Sequence, residues 1–206
     1  MASRVAGLTR GTIATAPSVC RECVWWQSRG NRTASKERWI ERVEEESGEW
    51  GTIYYDDDGS VLGSMQYGPA GFFPRAADLP AGPPSDDAVL VTCAFLTGEG
   101  AEWVEKSLFL AAIGEARDQG AKALEAFSYR YPDGETTTRR FLVHRTVFPR
   151  DFLEDFGFVT LRSQGRVELL RLELTGLAPV EEGRRAKVLR VVQEAFVPPG
   201  TSVPAP

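Results

Sequence analysis

Apolar and polar residues alternate along this chain in different rhythms, and each rhythm predicts a different element. The run Ala88–Leu96 is almost uninterruptedly apolar, the pattern of a strand buried on both faces. After a Gly-containing turn, Thr97-Gly98-Glu99-Gly100, the residues Trp103, Ser107, Leu108, Ala111, Ala112 and Ala116 recur at spacings of three and four. Lys106, Glu115, Arg117 and Asp118 mark the opposite side, so this is a helix with one face for a sheet, stopped at Gly120. Residues 121–127 make a second buried strand. Residues 86–127 thus predict a central β-α-β unit. Its first strand-to-helix junction is where a ligand is expected, because the first amides of a helix are unpaired and point outward.

The remaining pattern is arranged around that unit. Residues 1–17 read as a flexible leader, and 19–27 as a first strand ending in Trp25 and Trp26. Thr33 or Ser35 caps a helix over 36–46, with Trp39, Ile40 and Val43 as its buried stripe and Gly48 as its stop. Residues 50–55 and 61–67 alternate as a hairpin turning at Asp58-Gly59. The aspartates of that turn lack the later bidentate acid of a calcium loop.

Residues 68–85, rich in Gly and Pro yet holding Phe72, Phe73 and Leu79, read as a loop folded over the sheet on its substrate side. Residues 128–145 form a polar loop with Tyr129, Tyr131 and His144. A short helix over 149–156 and two closing strands, 158–161 and 167–174, come next. One more helix over 181–196 precedes a disordered Pro-rich tail.

Composition narrows the classes. The 206 residues are 42% hydrophobic and 26% charged, as in a globular protein with enough material for one core. The net charge is -5 with no Lys/Arg block, so neither nucleic acid nor a membrane surface is expected as a partner. The first residues lack the apolar core of a secretory signal and no run approaches membrane-spanning length, so a cytoplasmic location is expected. Three cysteines do not make a disulfide framework in a chain this long. Cys20, Cys23, Cys93 and His144 would supply a Cys3His shell on paper. A single Cys-x-x-Cys without a second close pair argues for structural cysteines and no metal.

The order of elements resembles the GCN5-related N-acetyltransferase (GNAT) superfamily over roughly residues 19 to 174. The carriers are residues 89–96 before their turn and helix, Phe152-Leu153-Glu154-Asp155-Phe156-Gly157-Phe158, and Leu170-Arg171-Leu172-Glu173-Leu174. A bacterial subgroup opening with Cys-x-x-Cys and a nearby Trp is matched by Cys20, Cys23 and Trp25, with Gln66-Tyr67-Gly68-Pro69-Ala70 and Glu125-Ala126-Phe127 downstream. The fold this implies is a GNAT-like α/β domain over residues 18–176, a mixed twisted sheet with helices on both faces. Residues 177–206 follow as a C-terminal helix and tail.

The resemblance implies acetyl-CoA as cosubstrate and a primary amine, on a small molecule or a protein, as acceptor; a homodimer is compatible with it. The backbone of Ala94, Phe95 and Leu96 would hold the pantetheine arm. Gly98 and Gly100, with Lys106 and Ser107, would take the diphosphate, and Tyr67, Phe72 and Phe73 would line the acceptor pocket. Two departures stand against this pattern. Counted back from Gly120, the diphosphate loop carries Trp103 and Glu105 where the family has glycines, and Glu99, Glu102 and Glu105 bring negative charge beside a diphosphate. Leu153 stands where the family's proton-donating Tyr would be. Tyr129, Tyr131 or Cys93 is then the substitute acid and Glu125 the base. Two functions remain open: an N-acetyltransferase with a degenerate CoA loop, and a GNAT-fold binding protein that no longer takes CoA.

Overall fold

A helix of seventeen residues, α3 (Glu102–Asp118), lies across the middle of one sheet and sets the position of everything else. The computed structural model describes residues 4–97, 102–130 and 146–176. Among the described residues the sheet has eight strands: β1 (Arg4–Gly7), β2 (Gly51–Tyr55), β3 (Val61–Pro69), β4 (Ala88–Leu96), β5 (Ala123–Tyr129), β6 (Phe148–Pro149), β7 (Val159–Gln164) and β8 (Val167–Glu173). Their order is β1-β2-β3-β4-β5-β8-β7, with β6 also beside β5. Only the β4–β5 and β5–β6 pairs are parallel, so this is an open, mostly antiparallel sheet. Three shorter helices lie among the described residues of this single α/β domain: α1 (Ser18–Glu22), α2 (Lys36–Ser47) and α4 (Arg150–Glu154).

The sheet is covered on both faces, as its apolar strands require. On one face Val104, Leu108, Phe109, Ala112 and Ala116 of α3 pack on Val89, Val91, Ala94 and Leu96 of β4 and on Leu124 and Ala126 of β5. Phe109 meets Phe148, Phe152 and Phe156 at centroid distances of 5.1, 5.1 and 5.3 Å, which joins α4 to α3 on that face. On the other face Trp39, Ile40 and Val43 of α2 pack with Trp26, Trp50, Phe73, Leu90 and Phe127.

Local signals fixed several of these elements. Ser35 caps α2 by accepting from Arg38 N, and Gly48 ends it at φ 74°. Gly120, at φ 79°, closes α3. Elsewhere the structure corrects the pattern. The expected leader contains β1, which pairs with β2, and Leu8 and Ala16 behind it are buried. The run 19–27 is not a strand: Pro17 opens the short helix α1, and a turn brings Trp26 into the core. The loop 68–85 is a core wall of two 3-10 turns rather than a substrate flap, with Phe72, Phe73, Ala76 and Ala81 all buried. The expected polar loop beyond Arg130, with Tyr131 and His144, lies mostly outside the described residues, as do the C-terminal helix and tail.

Candidate active site

The parallel pair β4–β5 comes apart halfway. Ala88, Val89, Leu90 and Val91 pair with Ala123, Leu124, Glu125 and Ala126, and there the pairing stops. The cause is a β-bulge. Across β3, Gln66 faces Cys93 and Tyr67 faces Val91, so Thr92 has no opposite number. Its hydroxyl donates to Gln66 O at 3.1 Å, and the side chain is fully buried. Beyond the bulge β5 takes β6 as its new neighbour, Ser128 facing Phe148 and Tyr129 facing Pro149. Residues 92–96 of β4 have β3 on one edge and, among the described residues, no strand on the other. Backbone groups on that free edge are unpaired by the sheet and available to an extended ligand.

Ala94 and Leu96 turn their side chains into the α3 core, while Cys93 packs with the α2 core and Phe95 lines a small cavity on the same side. These residues therefore offer a ligand in the opening their backbone. Trp103 does not plug that opening. Its ring stands edge-on to Tyr54 of β2 at 5.1 Å, two strands away. Glu105 is buried in α3 rather than exposed in a turn. Ser107 is also buried and donates to Trp103 O at 2.8 Å, so its hydroxyl is used inside the helix. Lys106 is half-buried on α3, and Gly98 and Gly100 lie outside the described residues.

The expected catalytic pair is not brought together. Glu125 and Tyr129 are four residues apart on one strand, roughly 13 Å at the strand rise. Glu125 sits on the paired half of β5, fully buried, with both oxygens engaged: Oε1 accepts from Arg171 Nη1 at 3.0 Å and Oε2 from Ser85 N at 2.8 Å. Arg171 also binds Asp87 at 2.9 Å and holds that carboxyl below its ordinary value. This is the geometry of a clamp on the chain leading into β4. Tyr129, by contrast, is half-buried at the outer end of β5, where its hydroxyl accepts from Arg166 Nη1 at 3.4 Å. Leu153 is fully buried in the α3 core.

Tyr67, Phe72 and Phe73 are buried too. Phe73 packs 5.7 Å from Trp39, and Trp39 Nε1 donates to Phe72 O at 2.9 Å, so both phenylalanines serve the α2 core. Among the described residues no group of three or more Cys, His, Asp or Glu is arranged to hold a metal ion. No described helix is long and apolar enough to cross a membrane. The residues that sequence reasoning missed are Thr92 and Arg171. Only Thr92 left a trace, as the one hydroxyl within an apolar strand.

No family model and no curated protein sequence matches the chain. Solved structures do match in fold. An N-acetyltransferase from Staphylococcus aureus Mu50 superposes with a TM-score of 0.51 at 11% identity, over 85% of this chain and 100% of that one. The yncA protein of Salmonella typhimurium, solved with its cofactor acetyl-CoA, gives 0.53 at 12% identity over 87% and 99%. At such identities the likeness is one of architecture: the chain has the fold of the GCN5-related N-acetyltransferases.

Proposed function

We propose that the protein is an acyl-CoA-dependent N-acetyltransferase that moves an acetyl group to a primary amine. The observation that carries this reading is the free edge of β4 beyond the Thr92 bulge, opened by the departure of β5 and left clear by Trp103. An extended amide-bearing arm, such as pantetheine, adds to such an edge as a strand would, through backbone hydrogen bonds. The amides and carbonyls of Ala94, Phe95 and Leu96 are the groups offered, and an amide there is a donor for the thioester carbonyl oxygen.

The chain's own contribution is chiefly positioning, which by itself can lower a bimolecular barrier substantially. The amine nitrogen attacks the acetyl carbonyl, the carbon–sulfur bond breaks, the amine's proton passes to water, and the thiolate takes one up. Tyr129, at the outer end of β5, is the hydroxyl to which this reading gives the supply of that proton. Glu125 acts through the clamp with Arg171, as a positioning residue for β4 rather than as the base.

Calorimetric titration with acetyl-CoA at low ionic strength tests the reading. Binding in the micromolar range, followed by acetylation of at least one member of a primary-amine panel, supports it. No heat, together with no thermal shift at millimolar acetyl-CoA, overturns it.

A further inference from the structure

A thioester held along the free edge of β4 has one face of the sheet toward which its acyl group can turn. On the α3 face Ala94 and Leu96 share a packed core with Val104, Leu108 and Ala112, and none of the five is more than 3% exposed. On the α2 face the alternate residues of the same half-strand, Cys93 and Phe95, are only half-buried. Room beside this part of β4 therefore lies on the α2 side.

Cys93 and Phe95 also line a cavity of about 20 Å³ on that side, with Leu8, Ile13, Trp50 and Met65 among its other walls. A space of that size takes one water or one methyl group, and a buried water needs roughly two to four polar partners. The polar side chains at the margin are turned to the protein instead. Ser64 Oγ donates to Cys20 Sγ at 3.6 Å, Lys36 Nζ donates to Cys23 O at 3.0 Å, and Gln66 Oε1 accepts from Gln27 Nε2 at 3.2 Å. The remaining wall is mostly hydrocarbon and sulfur, which suits a methyl group. Its larger members are fixed: Trp50 and Met65 are each 1% exposed, so a longer group would have to force packed side chains aside.

We propose that this cavity receives the end of the donor's acyl chain, and that Cys93 and Phe95 thereby limit the donors to acetyl and propionyl thioesters. An acetyl group ends over these two side chains, the one further methyl of propionyl enters the cavity, and butyryl overfills it. The transfer is the same for either chain: the amine nitrogen bonds to the acyl carbon, the carbon–sulfur bond breaks, the amine gives up one proton and the thiolate takes one. The proposal rests on the acetyltransferase reading and adds the range of the donor.

Calorimetric titration of the full chain with free CoA and with acetyl-, propionyl-, butyryl- and hexanoyl-CoA tests it. Propionyl-CoA binds as tightly as acetyl-CoA or up to about fourfold tighter, the gain of burying one methylene. Butyryl- and hexanoyl-CoA bind about tenfold more weakly than acetyl-CoA or worse. Cys93→Ala and Phe95→Leu each widen the cavity and narrow the butyryl deficit severalfold. If neither variant folds, the series on the wild type still decides. With CoA bound, butyryl-CoA within about threefold of acetyl-CoA, propionyl-CoA about tenfold weaker than acetyl-CoA, or a butyryl deficit unchanged in both folded variants overturns the proposal and leaves the acetyltransferase reading standing. No binding by CoA or any thioester sinks that reading and the donor range with it.

Discussion

Glu125 and Arg171 stand opposite each other in the β5–β8 register, and their side chains meet at 3.0 Å in a place where the carboxylate has no exposure to solvent. Removing the guanidinium strands that charge. Arg171→Met is expected to destabilise the fold by about 3–5 kcal/mol, because an uncompensated buried carboxylate is costly. Combining Glu125→Leu with Arg171→Met should cost clearly less than Arg171→Met alone. Urea denaturation of the two single variants and the double variant measures this. A double variant as unstable as the sum of the singles would mean that the pair is not coupled.

Cys93 should be the slowest thiol to modify. Burial pushes its thiol up to about 12, so its thiolate fraction at pH 8 should fall well below that of a free cysteine and labelling by iodoacetamide should slow accordingly. Peptide mass spectrometry after timed alkylation reads the rate at each cysteine. Labelling of native Cys93 within tenfold of its rate in denaturant would show that the sulfur is not sequestered.

The Thr92 hydroxyl holds the bulge by donating to Gln66 O at 3.1 Å, with Gln66 Oε1 at 3.4 Å as a second acceptor. Thr92→Val keeps the shape and leaves that carbonyl one partner short, at a cost of about 0.5–1.5 kcal/mol in stability. The loss of acetyl-CoA affinity should exceed tenfold, since the free edge of β4 depends on the bulge. Unchanged affinity in a folded variant would uncouple the hydroxyl from the opening.

Acid should unfold the protein partly through Glu168. Burial on its own would raise this carboxyl, but the hydroxyl of Ser163 at 2.9 Å, Arg130 at 2.7 Å and Arg150 at 3.5 Å together hold it below its ordinary value of 4.5. A carboxyl depressed in the folded state contributes stability that is complete above its unfolded value and is lost as pH falls through the folded one. Melting temperatures of wild type and Glu168→Gln should therefore differ most above pH 4.5 and converge below it. Parallel curves down to pH 2 would assign the acid sensitivity to other groups.

Much of this architecture was legible because its signals are local. The span of β4, the Ser35 cap and Gly48 stop of α2, the turn at Gly59 and the end of α3 at Gly120 are each set by a few neighbouring residues. β1 was not legible: Arg-Val-Ala-Gly carries little strand preference, and its pairing with β2 across some fifty residues makes it a strand. The apolar run around Val19 reads equally as strand or helix by periodicity, and Pro17 decides for the helix. The site depends still more on distant pairings. Nothing near Glu125 announces Arg171 until the sheet is assembled.

The Thr92 bulge shifts the alternation of β4 by one residue. Val91 and Ala94 both face α3, and Leu90 and Cys93 both face α2, so the side chains alternate correctly if Thr92 is left out of the count. A chain shortened by that one residue would keep every wall of both cores and lose only the reason for β4 to part from β5. The cleft is thus a surplus of one in an otherwise regular ladder, and its removal should give a protein as well packed as this one with nowhere to put a ligand.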